Sequence, residues 1–329
     1  MKQVQIAAYG APSEVAACVE VPDVGAPGPG EVVFDVLAFP INPADMVFCK
    51  GSYRLKPPLP ATPGAECIGR ITAIGTGVVG VKVGDPVINL QRENWAQRRR
   101  VRADDVVPVP VGMDLRQGAM LRINPPTALL MLSDIVDLKS GECVVQNVAN
   151  SAVGRLVIKL AKERGLKTVN VVRREALFAE LKALGADQCV VDGPDLGDRV
   201  AAATGGAKIR LGLDAVSGVA TGRISDCLVD GGTVCVYGSM SGEDPAVQRS
   251  TLIYRGINLT GFMLGRALAK RSLDQIRAIY AQRAAQVAAG TLAAPIAKIY
   301  PIADIKAALA HADQGERGGK VLVAPNGPI

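Results

Sequence analysis

Short stretches in which apolar and polar residues alternate run from the N-terminus to about residue 115, separated by glycine and proline. Residues 32–38 follow a Pro-Gly turn, and residues 68–75 and 83–88 lie on either side of another glycine-rich turn. Strands at this spacing, with turn residues between them, predict an antiparallel, barrel-like β domain.

The pattern changes after residue 118, where apolar stretches of strand length alternate with stretches of helical length. The predicted strands cover residues 142–146, 168–172, 188–191, 209–216, 233–237 and 258–262, and the predicted helices cover residues 153–164 and 175–184. Such alternation indicates βαβ units and a parallel sheet covered on both faces. The tail contains a helix over 272–289, the segment 295–300, a helix over 302–311 and a strand over 320–323. It does not extend the alternation, and we expect it to return to the first domain.

Length and composition support two globular domains. The chain has 329 residues, more than the ~250–300 at which one hydrophobic core usually stops growing. Its residues are 49% hydrophobic and 21% charged, which is typical of a folded core. The predicted fold class is α/β, with residues 1–118 and 266–329 in one domain and residues 119–265 in the other. The net charge of +6 fits an acidic ligand and equally a merely soluble surface.

The cysteines and the N-terminus indicate a cytoplasmic protein. The seven cysteines form no CxxC pair and are odd in number, which suits a reducing compartment. The first ten residues read as a strand and a turn, without the pattern of a signal or transit peptide. Since no apolar run approaches the ~20 residues that span a bilayer, no membrane partner is expected.

The first βα turn of the predicted parallel sheet covers residues 146–154. Dinucleotide folds usually carry G-x-G-x-x-G here, because small residues let the backbone approach a pyrophosphate at a helix N-terminus. This chain has Ala149, Ser151 and Gly154 at those three places. The motif alone is weak, but a strand precedes it, a helix follows it, and a second strand comes at the expected distance.

The second strand of this sheet ends in Arg173 and Arg174. NAD-specific folds place an acidic residue there for the ribose 2′-hydroxyl, which would repel a 2′-phosphate. A guanidinium can instead pair with that phosphate in bidentate fashion. Two solvated arginines at a helix start are the alternative interpretation. We favour NADPH as the cofactor.

The chain resembles the medium-chain dehydrogenases/reductases from end to end. Four stretches carry this resemblance: Asn-Pro-Ala-Asp at 42–45, Gly-Ala-Glu at 64–66, Gly-Asp-Pro-Val at 84–87 and Gly-Lys-Val at 319–321. Within that family the chain looks most like the 2-enoyl thioester reductases of fatty-acid synthesis. The stretches that carry this closer resemblance are residues 41–45, 51–53, 124–128, 146–154, 170–173, 237–240 and 259–262. The resemblance implies a GroES-like β-barrel catalytic domain and a Rossmann domain with a doubly wound parallel sheet. It also implies a homodimer.

A zinc site is not expected. The zinc alcohol dehydrogenases of the family hold their metal with a Cys in place of Asn42 and a His in place of Ala65. The chain's one histidine, His311, lies in a late predicted helix. One histidine with scattered cysteines does not supply the three ligands of a catalytic zinc site.

For catalysis, the resemblance places a proton-donating tyrosine at Tyr53. Reducing an α,β-unsaturated thioester needs a hydride at Cβ, stabilisation of the enolate and a proton at Cα. A phenol is weak enough an acid to keep its proton until the enolate forms. Alternatively, Tyr53 is a loop aromatic that covers the cleft between the domains, where we expect the active site. Asn42 is the second catalytic candidate, to orient substrate or nicotinamide, although it also suits a turn before Pro43.

The resemblance also implies which residues contact the cofactor. Asn124 would contact the nicotinamide ribose, Arg173 and Arg174 the 2′-phosphate, and Lys320 would reach the cofactor from the returning tail. The remaining predicted contacts are Asn150, Ser151, Ala152 and Val153 around the pyrophosphate, Tyr237, Gly238, Ser239 and Met240 beside the adenosine and diphosphate, and Phe262, Met263 and Leu264 along the nicotinamide.

Two departures from the reductase pattern concern the substrate. Met263 stands where those enzymes usually carry Trp, which removes a bulky wall near the nicotinamide. The run Arg98–Arg102, with Val101 as its uncharged member, would attract an acyl carrier protein or the phosphates of coenzyme A. Its alternative is a solvated edge strand that is protected by charge.

Three functions remain: an NADPH-dependent 2-enoyl thioester reductase, a zinc-free quinone or enone reductase, and a nucleotide-regulated binding protein, for instance for nucleic acid. The last is disfavoured, because only Trp95 accompanies the arginines, and nucleic-acid binding needs a basic surface that bears several aromatics. No nucleic-acid partner is therefore expected.

Overall fold

The structure is a computed structural model that describes every residue from Met1 to Ile329. Its strands are β1 (Lys2–Ile6), β2 (Ala16–Glu20), β3 (Glu31–Pro40), β4 (Ile68–Ile74), β5 (Pro86–Asn89), β6 (Arg98–Arg102), β7 (Val106–Pro108), β8 (Cys143–Gln146), β9 (Lys167–Val172), β10 (Gln188–Val191), β11 (Ile209–Asp214), β12 (Thr233–Val236), β13 (Asn258–Gly261), β14 (Ile296–Pro301) and β15 (Lys320–Ala324). Its α-helices are α1 (Pro12–Val15), α2 (Pro43–Cys49), α3 (Leu115–Gly118), α4 (Asn124–Asp134), α5 (Ala152–Glu163), α6 (Phe178–Leu184), α7 (Leu196–Thr204), α8 (Val219–Asp226), α9 (Arg249–Tyr254), α10 (Leu264–Leu268), α11 (Leu273–Ala288) and α12 (Ile305–Asp313). Short 3-10 turns cover Ala103–Asp105, Glu175–Leu177 and Ile302–Asp304.

The chain divides into two compact units. The first unit contains residues 1–123 and 273–329, and the second contains residues 124–272. The sequence pattern predicts divisions after residues 118 and 265, a few residues before the observed ones. No helix is both long and apolar enough to cross a membrane.

The second unit is built on a parallel sheet of six strands in the order β10-β9-β8-β11-β12-β13. The inner strands are mainly apolar and mostly buried, as expected for strands covered on both faces, although β8 and β9 include the buried amides Gln146 and Asn170. All four residues of β8 are buried, and α5 packs on β9 with buried residues at helical spacing. Gly185, at a φ of 102°, ends α6, because a left-handed C-cap suits a residue without a Cβ. The predicted α/β class is confirmed.

The first unit contains a seven-stranded sheet in the order β14-β15-β3-β4-β5-β7, with β6 paired to β3, and a separate pair β1-β2. Its core includes Phe39 and Trp95, whose ring centroids stack 5.7 Å apart. The tail strand β15 is buried throughout and lies between β14 and β3. The last two strands, β14 and β15, thereby complete the sheet to which β3 belongs.

The strands of the first 115 residues pair antiparallel, as the sequence pattern predicts, whereas the tail strands β14 and β15 run parallel and are joined by a crossover through α12, as a parallel pair requires. One expectation for the first unit needs correction. The strand expected over residues 83–88 begins only at Pro86. The preceding residues form a turn instead, in which the Asp85 carboxylate accepts a hydrogen bond of 2.9 Å from the Lys82 backbone N–H.

Candidate active site

Four parallel strands of the second unit bring most of the predicted cofactor residues to one edge of the sheet. Residues 150–153 follow β8, Arg173 and Arg174 follow β9, residues 237–240 follow β12, and residues 262–264 follow β13. Because the strands are parallel, their carboxyl ends share an edge. In open α/β sheets this is the edge where nucleotides bind.

The turn after β8 is tight although it keeps a single glycine. A Cβ on Gly154 would lie 2.7 Å from Ala149 Cα, so no larger residue fits without a backbone shift. Ser151 caps α5, its hydroxyl oxygen accepting a hydrogen bond of 3.0 Å from the Gly154 N–H.

A buried chain of amides supports this turn from below. Gln146 Nε2 donates to the Gly154 carbonyl at 2.9 Å and to Asn170 Oδ1 at 2.8 Å, and Asn170 Nδ2 donates to Thr168 Oγ1 at 2.9 Å. These bonds join β8, β9 and the start of α5. In the sequence, Gln146 and Asn170 stand out only as members of the family's motifs. Their position inside apolar strands does indicate a buried hydrogen bond, since a polar amide there needs a buried partner.

Among the predicted cofactor residues, Asn124 Nδ2, at the start of α4, is buried without a hydrogen-bond partner in the chain. The Tyr237 hydroxyl is buried beside the Ser151 side chain: burial raises the pKa of Tyr237 above its usual value, the charge of Asp214 adds to the rise, and a hydrogen bond with Ser151 opposes it. Because buried polar atoms are rarely left without a partner, the Asn124 amide nitrogen suits a contact with a polar ligand.

Two further groups of predicted cofactor residues are accessible. Arg173 and Arg174 are exposed just beyond β9. Phe262 and Met263 line an open cavity of about 350 Å³ together with Arg266 and Lys270.

In the first unit, Asn42 and Lys320 belong to one buried polar network. Lys320 Nζ donates to Asn42 Oδ1, and Asn42 Nδ2 donates to Glu66 Oε1 at 2.8 Å. The other Glu66 oxygen accepts from the Ile123 N–H at 2.8 Å. Asp45 accepts from the Asn42 and Ala65 backbone N–H groups at 3.0 and 2.9 Å. Both ends of the Asn42 amide are therefore occupied by the chain itself.

Burial sets the ionisation of this network. It raises the pKa of Glu66 to about 7, opposed by the charge of Lys320 and the hydrogen bond from Asn42. It lowers the pKa of Lys320 to about 8, opposed by the charge of Glu66. The pKa values of Glu66 and Lys320 are both shifted toward neutrality. The sequence alone does not predict these shifts, because they depend on burial in the folded protein.

Tyr53 lies in the loop after α2 and is half-buried. Its ring is tilted against Phe48, with centroids 6.5 Å apart. The Arg92 guanidinium lies over the same ring, its Cζ 4.9 Å from the centroid. Sequence reasoning did not single out Arg92. Only the fold brings it to Tyr53, because the two residues belong to different loops of the first unit.

Two family descriptions match the chain: "Alcohol dehydrogenase GroES-like domain" over residues 28–120 and "Zinc-binding dehydrogenase" over residues 152–280. The mitochondrial enoyl-[acyl-carrier-protein] reductase of Bos taurus is 33% identical over 95% of this chain and 86% of its own length. The chain belongs to the enoyl reductase branch of the medium-chain dehydrogenases/reductases.

Solved structures of this family share the fold across the whole chain. One is the complex of Etr1p, a 2-enoyl thioester reductase of Candida tropicalis, with NADP and crotonyl-CoA. It is 25% identical, covers 98% of this chain and 99% of its own, and has a TM-score of 0.87. The quinone oxidoreductase of Pseudomonas syringae is 26% identical, with the same coverage and a TM-score of 0.86.

The second family description names zinc, but the residues of this medium-chain dehydrogenase/reductase do not fit a zinc site. Asn42 and Ala65 occupy the positions of the family's Cys and His ligands. No group of three or more His, Cys, Asp or Glu side chains is arranged to hold a metal ion.

The arginine run forms β6, which pairs only with β3. Arg98 bonds to Asp35 at 2.7 Å and to Asp23 at 3.1 Å. Arg100 lies 3.6 Å from Glu31. Acidic residues thus neutralise part of the positive charge of the arginine run.

Proposed function

We propose that this protein uses NADPH to reduce the carbon–carbon double bond of trans-2-enoyl thioesters, with Tyr53 as the proton donor. The observation that carries the proposal is the sequence similarity, over 95% of the chain, to an enoyl-[acyl-carrier-protein] reductase. Tyr53 fits this role because it is half-buried and the Arg92 guanidinium lies over its ring, so that packing holds the phenol in place.

The residues at the carboxyl edge of the parallel sheet fit NADPH. Arg173 and Arg174 suit the 2′-phosphate, and the capped turn at 150–153 suits the pyrophosphate. Asn124 has an unpartnered amide nitrogen for the ribose. Residues 237–240 and 262–264 complete the proposed contacts, together with Lys320, whose ammonium is held by Asn42. When bound, NADPH supplies the hydride that adds to Cβ of the substrate.

Residues of the chain would supply the proton for Cα and hold the charged groups near the substrate in place. Tyr53 holds a proton on its hydroxyl until negative charge reaches Cα of the substrate, and then donates it. Asn42 acts from its buried position, where it keeps Lys320 and Glu66 in place. No step requires a metal, in keeping with the proposed zinc-free reaction.

A second candidate is a zinc-free NADPH quinone or enone reductase. The similarity to the Pseudomonas syringae quinone oxidoreductase favours it, as does the absence of a tryptophan at Met263. In that reaction the acceptor takes its proton from solvent, and the Tyr53 hydroxyl is dispensable.

The test follows NADPH absorbance with crotonyl-CoA and with a simple quinone, with NADH in parallel. We expect thioester turnover with NADPH and a loss of about 100-fold in kcat for Tyr53→Phe. Tyr9→Phe is the matched control, because that hydroxyl bonds to the Pro57 carbonyl of the same loop at 3.2 Å and donates no proton to substrate. Quinone turnover that survives Tyr53→Phe, without thioester turnover, would establish the second candidate instead.

We also propose a homodimer that forms through the edge strand β13. All four of its residues are exposed, and the adjacent Ile253 and Tyr254 are 63% and 82% exposed. An unpaired edge with apolar neighbours is a surface that a second copy would cover. Light scattering after gel filtration measures the mass, and a monomer at micromolar concentration would contradict the proposal.

We propose that the acyl group of the substrate is carried by coenzyme A or by an acyl carrier protein. Comparing kcat/KM for the two esters shows which of them the protein prefers.

We also propose that the protein is located in the cytoplasm. Its seven cysteines are all free thiols, which suits a reducing compartment. Cell fractionation with an antibody against the chain would test it.

A further inference from the structure

Arg92 lies over two neighbouring aromatic rings of the first unit. Its Cζ is 4.9 Å from the Tyr53 centroid and 5.6 Å from the Phe48 centroid. A guanidinium over aromatic faces is held by cation–π attraction, which fixes both the cation and the rings. The proposed proton donor therefore has a permanent positive charge fixed beside it.

One nitrogen of this guanidinium, Nη2, is buried and has no hydrogen-bond partner in the chain. Asp45 is a buried carboxyl that the charge of Arg92 reaches, since this charge opposes the rise that burial causes in the pKa of Asp45. Both Asp45 oxygens, however, already accept backbone hydrogen bonds, one from Asn42 and one from Ala65. A buried, charged donor without an acceptor is costly, so this arrangement calls for an acceptor from outside the chain.

We propose that Arg92 binds the thioester carbonyl oxygen of the substrate through Nη2 and stabilises the negative charge that develops there. This inference rests on the proposed enoyl thioester reduction. The carbonyl carbon is bonded to Cα, the atom that Tyr53 would protonate. A donor for the carbonyl oxygen must therefore lie beside the phenol, and Arg92 is the cation that the fold places there.

The electron count requires such a donor. Hydride addition at Cβ moves the π pair of the double bond toward Cα, and the charge is shared with the thioester oxygen as an enolate. The enolate then re-forms the carbonyl as Cα takes the Tyr53 proton, and the phenolate regains a proton from solvent. Arg92 gains and loses no proton, because a guanidinium stays charged. Preorganised donors at a developing oxyanion lower the barrier more than they improve ground-state binding.

The test compares Arg92→Met and Arg92→Ala with wild type on crotonyl-CoA, measuring kcat, KM and the Kd of NADPH by fluorescence. Arg92→Met keeps an unbranched apolar side chain against the two rings and removes the charge. We expect kcat to fall about 100-fold, as for loss of one oxyanion donor, with an unchanged Kd for NADPH. Guanidinium chloride at millimolar concentration should restore part of the kcat of Arg92→Ala, whereas urea should not. Arg116→Met, an exposed arginine paired with Asp114, is the control that should keep wild-type rates.

The outcomes separate this inference from the function on which it rests. A wild type that does not turn over crotonyl-CoA would overturn both. An active wild type with unchanged kcat in Arg92→Met would overturn only the role of Arg92. A loss of kcat that guanidinium does not rescue, or that comes with weaker NADPH binding, would also overturn it, because disturbed packing around Phe48 and Tyr53 would then explain the loss.

Discussion

The Asn42 amide joins Lys320 to Glu66: its oxygen accepts from the lysine, and its nitrogen donates to the carboxylate at 2.8 Å. The folded-state pKa of Glu66, about 7, lies above its ordinary 4.5, so the stability this group contributes at low pH is lost as pH rises to about 7. The pKa of Lys320, about 8, lies below its ordinary 10.5, so its contribution at high pH is lost as pH falls to about 8. The pH range in which both side chains are charged is therefore narrower than for a free glutamate and a free lysine.

We predict that Lys320→Met lowers the free energy of unfolding by about 3 kcal/mol at pH 7.5, because it leaves the Glu66 carboxylate buried without its cation. The loss should be smaller at pH 5.5, where the carboxyl is protonated in the folded protein. Urea unfolding at the two pH values measures the difference, and Lys306→Met, at an exposed lysine of α12, is the control. An equal loss at both values would show that Glu66 and Lys320 are not coupled.

Replacing Arg173 and Arg174 together by serine should weaken NADPH binding by about 10- to 100-fold, the energy of one or two charge-assisted hydrogen bonds. NADH binding should change little, because it lacks the 2′-phosphate. Fluorescence titration with each cofactor gives the ratio. If both affinities fell alike, the arginines would serve the folding of the second unit and not the choice of cofactor.

Gly154→Ala should cost about 1–3 kcal/mol of stability and weaken the cofactor site. The new Cβ would meet Ala149 Cα and two carbonyl oxygens at 2.7 Å, and backbone atoms move less readily than a side chain. Thermal unfolding measures the cost. Gly315→Ala is the matched control, since a Cβ there meets nothing within 4 Å and should leave the melting temperature unchanged.

The arginines of β6 should contribute less to substrate binding than their number suggests. Arg98 and Arg100 are paired with acidic residues near them, so we predict less than about a twofold change in KM for crotonyl-CoA when both become alanine. Assays at low and high salt with a carrier-protein ester complete the test. A higher KM and a weaker salt dependence for that ester would instead assign the strand to carrier binding.

The sequence predicts those parts of the fold that depend on local pattern. Strand β10 has the bounds that its apolar run predicts, and α5 begins one residue before its predicted start. The carboxyl-edge placement of Arg173 and of residues 237–240 follows from strand–helix alternation, because alternation implies parallel strands.

The rest depends on contacts between residues far apart in the chain. Arg92 meets Tyr53, and Lys320 meets Asn42 across 278 positions, only after separate loops and strands have packed. Neither pairing has a periodicity or a motif. The sequence also does not predict that Glu66 and Lys320 are buried together, which moves the pKa values of both toward neutrality.

The discontinuity of the first unit has a consequence for how the protein is made. Strand β15 is buried between β14 and β3, yet in the chain the whole second unit separates it from β3. The second unit is one continuous segment and can fold while the chain is still growing, whereas the sheet around β3 keeps an open edge until β15 has been synthesised. Nascent chains that stall after residue 272 would therefore expose that edge to chaperones, and a premature stop before β15 would leave the first unit incomplete.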